Sequence, residues 1–375
     1  MIYLDSAATS LQKPSSVYKA VERAMKTMTS PGRGGHEASM RAADIVFACR
    51  MELANLFEVP SPEQVVFTFN ATHGLNIAIR DLVSAGDKVV VSGFEHNAVM
   101  RPLYLLGADV RVVRTPLFDD DSLIQGFAKE LHGAKAAVCT AMSNVFGYIT
   151  PIEKIAELCG EMKVPLIVDA SQLAGCGTLS MEKLGATYMA FPGHKGLLGP
   201  QGTGVLLCRR VPNPFLVGGS GSESRSMYMP EVLPDRLEAG THNVPGIAGL
   251  LAGVRYVRKV GAEQIGKIER ERMERLFRYV SRINDVETFY SEDASKQGGI
   301  LSVRHKGMDS EMFAQNLSEA GVAVRGGLHC APSAHETVGT LDGGTVRFSF
   351  SPYTTEQDVF YGYSALKKSV NKEKT

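Results

Sequence analysis

Pro165-Leu166-Ile167-Val168-Asp169-Ala170-Ser171-Gln172 is an unbroken apolar run that stops at a carboxylate. A strand with no polar face is one buried on both sides, the habit of parallel sheets covered by helices. Four comparable runs precede it: Gln64-Val65-Val66-Phe67-Thr68-Phe69, Lys88-Val89-Val90-Val91-Ser92, Ala108-Asp109-Val110-Arg111-Val112-Val113 and Ala136-Ala137-Val138-Cys139-Thr140. Amphipathic segments of helix length separate them, so the expected fold class is α/β with a mostly parallel sheet. Ligands of such sheets sit beyond the carboxyl ends of the strands. Polar groups stand at those ends here: Asn70-Ala71-Thr72-His73, Glu95-His96-Asn97, Ser143-Asn144 and Asp169-Ala170-Ser171-Gln172.

At 375 residues and 44% hydrophobic, the chain is long enough for more than one domain, and two are expected. Forty basic residues balance forty acidic ones without a Lys/Arg block, which leaves no electrostatic footprint for nucleic acid or anionic lipid. A small molecule or another protein is the expected partner. Met1-Ile2-Tyr3-Leu4-Asp5 does not open a signal peptide, and no stretch has the length of a membrane span; the expectation is a soluble, cytoplasmic protein. The six cysteines are scattered with no CxxC pair, so neither a metal site nor a disulfide scaffold is expected. Residues 212–234, rich in Gly, Ser, Met and Pro, read as a long loop. Residues 247–283 carry Arg and Glu at i,i+4 spacing, with Gly253 and Gly261 expected to break the helix that leads into a C-terminal α/β domain.

Phe191-Pro192-Gly193-His194-Lys195-Gly196-Leu197-Leu198-Gly199-Pro200 is the segment richest in chemistry. A lysine that holds pyridoxal phosphate (PLP) as a Schiff base needs close backbone approach by the cofactor and a further donor for its phosphate. Glycines and His194 answer those needs. Alone, Gly-His-Lys reads equally well as an exposed turn. Asp169 shifts the balance, because a carboxylate at a strand end can pair with the pyridine nitrogen and keep the ring electron-poor, although Asp at such a position is also a common turn former or helix cap.

With these segments in view the chain resembles the class V aminotransferase group of fold-type I PLP enzymes, and within it the group II cysteine desulfurase and selenocysteine lyase family. The resemblance is collinear over essentially the whole chain: Tyr3-Leu4-Asp5-Ser6-Ala7-Ala8-Thr9, Asn70-Ala71-Thr72-His73-Gly74-Leu75-Asn76, Glu95-His96-Asn97, Ser143-Asn144-Val145-Phe146-Gly147, Val168-Asp169-Ala170-Ser171-Gln172, Gly193-His194-Lys195, Glu238-Ala239-Gly240-Thr241 and Arg325-Gly326-Gly327-Leu328-His329-Cys330-Ala331. It implies a PLP-dependent transferase fold of type I. Residues 1–15 would form an N-terminal segment packing near the small domain, 16–246 a large PLP-binding domain, and 247–375 a smaller C-terminal α/β domain with a linking helix.

The resemblance further implies that Lys195 carries the cofactor, His96 stacks on its ring, Asp169 pairs with the ring nitrogen and Gln172 bonds the ring oxygen. Ala71 and Thr72 at a helix N-terminus, His194, and Thr241 reaching from a second subunit would hold the phosphate. Asn144 would lie close to cofactor and substrate, and Arg347, in Thr345-Val346-Arg347-Phe348-Ser349, would clamp the substrate carboxylate. A homodimer is implied by Thr241.

Cys330 decides the reaction that the resemblance implies. Its thiolate would attack the sulfur of bound L-cysteine, release L-alanine and keep a persulfide, assisted by cationic neighbours in its Gly/His/Pro-flanked loop. A buried inert thiol is the usual fate of a single cysteine, and Cys139, Cys159 and Cys208, inside apolar or amphipathic runs, fit that fate better. L-Selenocysteine is the other substrate of the group, and a cysteine C–S lyase, an aminotransferase or a non-catalytic PLP-binding or sulfur-carrier scaffold are the alternatives. A sulfur-acceptor protein follows from a persulfide product. The chain departs from the commonest group II pattern at Leu328, where a second histidine is usual, and at Gly326, where a polar residue is usual.

Overall fold

β-Branched residues crowd the apolar runs, and in the computed structural model, which describes residues 1–32 and 34–371, each run forms a strand. After a short strand β1 (Ile2–Tyr3) come β2 (Val65–Thr68), β3 (Lys88–Ser92), β4 (Asp109–Val113), β5 (Ala136–Thr140) and β6 (Leu166–Asp169). β7 (Tyr188–Pro192) and β8 (Gly204–Cys208) complete a seven-stranded sheet in the order β2-β8-β7-β6-β5-β3-β4. β3 to β7 run parallel, and β8 is antiparallel to both of its neighbours.

The registers place Thr140 beside Asp169 and Asp169 beside Ala190, so the carboxyl ends of three central strands finish together. Every residue of β5, β6, β7 and β8 is buried. One face packs a cluster that includes Val90, Val138's neighbours Ala137 and Cys139, Val168 and Phe191; the other packs Val89, Val91, Val138, Ile167 and Ala190. At about 25 cal/mol per Å² of apolar surface, such two-sided burial fixes register firmly.

The C-terminal part builds a separate three-stranded antiparallel sheet from β9 (Val286–Phe289), β10 (Ile300–His305) and β12 (Val346–Ser349), in the order β12-β10-β9. β11 (Val322–Ala323) pairs in parallel with β1, and Leu4 enters the core beneath, with Leu301, Val303, Phe313 and Phe348.

Residues 211–243 contain no helix or strand. The following helical pattern divides once, into Val244–Val260 and Ala262–Val280, at Gly261 with φ of 93°. Gly253 does not break it. A Cβ there would lie 2.3 Å from the Leu197 carbonyl oxygen, so this glycine lets the helix press on the Lys195 loop. No helix among the described residues is long and apolar enough to cross a membrane.

Candidate active site

Asp169 ends β6 and Lys195 follows β7, so adjacent strands deliver both to one cavity. Ala71, Thr72, His96, Asn144, Gln172 and His194 line the same cavity. About 110 Å³ of it is open to the centres of water-sized molecules, in a concave site lined by polar groups from several strand ends.

Asp169 is 3% exposed. Its Oδ1 accepts from Ser171 N at 2.9 Å and Ser171 Oγ at 2.5 Å, which leaves Oδ2 as its free acceptor. Lys195 is half-buried, and among the described residues its amine makes neither a hydrogen bond nor an ion pair. Loss of hydration lowers its pKa to about 8, opposed by the Asp169 charge and assisted by Arg347 and Arg325. The ammonium is therefore destabilised, and roughly a tenth of the side chain is a free amine at pH 7.

The glycines around Lys195 serve a different purpose from the one expected. A Cβ on Gly193 would stand 2.3 Å from Thr203 Oγ1, on Gly196 2.5 Å from the Ala174 carbonyl, and on Gly199 2.8 Å from the Gly193 carbonyl. Each faces protein and lets the loop fold tightly, so the site gains a fixed lysine rather than a bare backbone for the cofactor.

His96 precedes helix Asn97–Leu105 and caps it, Nδ1 accepting from Ala98 N at 3.0 Å. Burial lowers its pKa to about 4, so the ring is neutral, with Nε2 carrying the proton by inference from the acceptor role of Nδ1. Burial and the neighbouring Lys195 and Lys13 likewise lower His194 to about 4; its Nδ1 lies 3.1 Å from Thr9 Oγ1. Gln172 Nε2 donates to the Ala7 carbonyl at 3.1 Å. Ala71 and Thr72 open helix Ala71–Leu82, but the cap is Asn70, whose side chain accepts from His73 N at 2.9 Å. The first-turn amides of Ala71 and Thr72 stay available to an anion.

Beneath His96, Glu95 is fully buried; Oε1 accepts from Ser92 Oγ at 2.5 Å and Thr140 N at 2.8 Å, and Oε2 has no partner. Burial, with the Asp169 charge adding to it, raises its pKa to about 8, so it is a neutral acid at pH 7.

Arg347 lies on β12, 1% exposed. Nη1 donates to the Asn144 carbonyl at 2.9 Å and Nη2 to Asp5 Oδ1 at 2.8 Å, while Nε is buried without a partner. Asn144 Nδ2 donates to the His329 carbonyl at 2.8 Å, and its Oδ1 is unpartnered. Through these bonds the C-terminal sheet and the Cys330 loop are stitched to the cavity.

Cys330 is exposed. His329 and Cys330 both take left-handed backbone, φ 51° and 56°, which costs about 1–2 kcal/mol per non-glycine residue. Bonds from Asn144 to the His329 carbonyl, from Asn97 N to the Cys330 carbonyl at 2.8 Å, and from Ala331 N to the Leu328 carbonyl at 2.9 Å hold the turn. Among the cationic or potentially cationic residues of the loop, Arg325 reaches the sulfur, its Nη2 3.8 Å from Sγ. The His329 ring turns inward, 3% exposed, with Nε2 3.1 Å from the Thr345 carbonyl, and desolvation holds its pKa well below the usual histidine value. Gly326 has a packing reason for lacking a side chain, since a Cβ would stand 2.4 Å from the Ser310 carbonyl. Leu328 lies at the lip of the loop, 37% exposed. Cys139, Cys159 and Cys208 are buried, with thiol pKa values pushed up by desolvation, to about 12 for Cys159.

Thr241 is not brought to this cluster within one chain. It is exposed, in a second pocket with Phe69, His73 and Leu216. Sequence reasoning gave no role to Asp5 or Glu95, although both lie in the quoted segments; a carboxylate just before His96 was the available signal for Glu95.

Residues 2–361 match the family profile described as Aminotransferase class-V. The chain is 33% identical to a probable cysteine desulfurase of Methanothermobacter thermautotrophicus, over 96% of this chain and 92% of that one. It is 30% identical to a probable cysteine desulfurase of Pyrococcus abyssi with the same coverages, 96% and 92%. Among solved structures, the apo cysteine desulfurase of Thermococcus onnurineus superposes with a TM-score of 0.90 at 28% identity, covering 99% of this chain and 95% of that one. The cysteine desulfurase CsdA (S-sulfonic acid) from Escherichia coli gives 0.87 at 26%, covering 99% and 94%.

Proposed function

Since the chain belongs to the class V aminotransferase family, we propose that it is a PLP-dependent cysteine desulfurase, converting L-cysteine to L-alanine and retaining the sulfur as a persulfide on Cys330. The relatives above, named cysteine desulfurases along nearly their whole lengths, support the activity. The observation that carries the persulfide is the exposed Cys330, held in a left-handed turn and bonded to the cavity through Asn144 and Asn97.

The cavity's free groups fit the cofactor. An unpartnered amine on Lys195, an open carboxylate oxygen on Asp169 and first-turn amides on Ala71 and Thr72 complement an aldehyde, a pyridine nitrogen and a phosphate. Lys195 is the covalent anchor, Asp169 the partner of the ring nitrogen and the neutral His96 imidazole a stacking surface; Gln172 and His194 complete the cradle. When bound, PLP supplies an electron sink that makes the Cα–H of an amino acid acidic.

Arg347 takes the substrate carboxylate. Its unpartnered Nε gives the substrate a first donor, and Asp5 orients the guanidinium through Nη2. Lys195, its ammonium already destabilised, removes the Cα proton as general base. The Cys330 thiolate, with the Arg325 guanidinium beside it, then attacks the substrate Sγ: the new S–S bond forms as the Cβ–S bond breaks, the bonding pair stays with the carbon skeleton, and alanine leaves once Cβ and Cα have each taken a proton.

Thr241 serves a neighbouring subunit in a homodimer, a reading supported by the exposed apolar side chains of Phe69 and Leu216, which line the same pocket. The division into 1–15, 16–246 and 247–375, cytoplasmic location and an acceptor protein for the sulfur belong to the same proposal. Incubating PLP-loaded protein with L-cysteine tests it: alanine with an added sulfur on Cys330 by mass spectrometry is expected, and pyruvate with sulfide and unmodified Cys330 would make it a C–S lyase.

A further inference from the structure

Lys195 borders a second cavity, and Glu269 lines it too, together with Ser6, Ser10, Ser349 and Ser351. About 30 Å³ of it is open to the centres of waters, enough for one or two at ~10–15 Å³ each.

Glycines bring this carboxyl within reach of the lysine loop. A Cβ on Gly175 would stand 2.4 Å from the carbonyl carbon of Gly196, so the segment after β6 lies directly against the lysine loop. One residue on, Cys176 meets helix Ala262–Val280 at Gly266, where a Cβ would be 2.0 Å from the Cys176 carbonyl oxygen. Glu269 stands three residues further along that helix, on the same face. It is 8% exposed, and among the described residues it has no cationic partner; the Cys176 thiol, 3.1 Å from the Gln172 carbonyl, is its hydrogen-bonding neighbour. A buried carboxyl without a cation keeps its proton.

The reaction creates a need for that proton. Alanine needs protons at both Cβ and Cα, and Lys195 has collected only the one taken from Cα, so a second must reach it after the Cβ–S bond breaks. Lys195 is the general acid at hand, and with cofactor and substrate filling the first cavity it cannot be reloaded from that side. We propose that Glu269 is the proton donor that reloads Lys195, through water held in the second cavity. The transfer takes a proton from the Glu269 carboxylic acid to the Lys195 amine, leaving carboxylate and ammonium, and solvent restores Glu269 afterwards; no other bond changes.

Electrostatics agree. Desolvation raises Glu269 to about 8 and lowers Lys195 to about 8, so the transfer is close to balanced. The groups that face Lys195 are Asp169, Arg347, Arg325 and Asp5, and Cys176 faces Glu269. The role rests on the desulfurase proposal above.

The test is a stopped-flow pH jump from 9 to 7 on PLP-loaded protein without substrate, following the absorbance of the lysine-bound cofactor in wild type and Glu269→Gln. Protonation is expected to slow about tenfold or more in the variant, with the band position unchanged, and added formate should restore the rate. Alanine formation should fall in kcat by a similar factor with KM unchanged. Equal jump rates in the two proteins would overturn the relay while leaving the desulfurase standing; failure of the band to form on adding PLP would remove both. Should Glu269→Gln fold poorly, infrared difference spectra of the wild type over the same jump decide: a carboxylic acid band changing in step with the cofactor absorbance is expected, and no such band would refute the role.

Discussion

The floor and the lip of the site are built on opposite principles. The floor, Asp169 and Lys195, hangs from fully buried parallel strands whose register places it, and the lysine loop is locked by glycines that face protein. The lip, residues 325–330, is a strained turn fixed by single hydrogen bonds, with its cysteine in solvent. Chemistry at a carbon next to a cofactor needs fixed geometry. A sulfur that must leave for another molecule needs exposure, and a loop supplies it at the cost of local strain.

Substitutions can break this contrast. Lys195→Ala strikes the floor and should abolish lysine-bound cofactor absorbance and lower turnover by roughly 10³-fold or more; retained absorbance would end the assignment. Cys330→Ala strikes the lip alone. It should keep the absorbance and lose at least ~10²-fold in alanine release from cysteine, read by spectroscopy and amino-acid analysis on one sample. Arg347→Lys joins the two regions, because the guanidinium bonds both Asn144 and Asp5. With one ammonium replacing a fork, KM for cysteine should rise about tenfold or more, with a smaller change in kcat.

Smaller effects sharpen the comparison through stability. Glu95 and Glu269 have raised folded pKa values, near 8, against an ordinary 4.5. The folded state therefore binds more protons than the unfolded one between those values, and these two groups make stability fall as pH rises through that window. Glu95→Gln keeps an acceptor for Ser92 and Thr140 and removes the titration, so its Tm relative to wild type should be higher at pH 9 than at pH 6. A gap independent of pH would mean that Glu95 is already ionised at neutrality. The smallest expected change is at the lip: Cys330→Gly relieves a left-handed residue and should raise stability by up to ~1 kcal/mol, offset in part by the extra freedom of glycine when unfolded.

The sheet and the floor were readable because their signals are local. Runs such as Val89-Val90-Val91 and Leu166-Ile167-Val168 announce two-sided burial, and polar residues at their ends announce a site. What stayed hidden depends on contacts between distant segments. Gly253 looks like a helix breaker until the Leu197 carbonyl is seen against it, and His329 looks like a cation beside Cys330 until its ring is found turned toward Thr345. Asp5 lies 342 residues from Arg347 and Glu269 lies 93 from Cys176, and no local pattern connects either pair, yet packing sets Asp5 on Arg347 and Glu269 beside Cys176.

The seven-stranded sheet has two outer strands, β2 and β4, and an outer strand offers unsatisfied backbone groups to any passing chain. On β2 two of these are taken by side chains. Glu238 Oε1 accepts from Phe67 N at 2.6 Å, while Arg50, paired with Glu238, donates to the Val65 carbonyl. On β4, Asp109 and Arg111 form an exposed pair at 2.7 Å. One border is partly covered by side chains and the other is charged, so the protein should resist strand-to-strand aggregation, and Glu238→Ala should first be noticed as turbidity on storage.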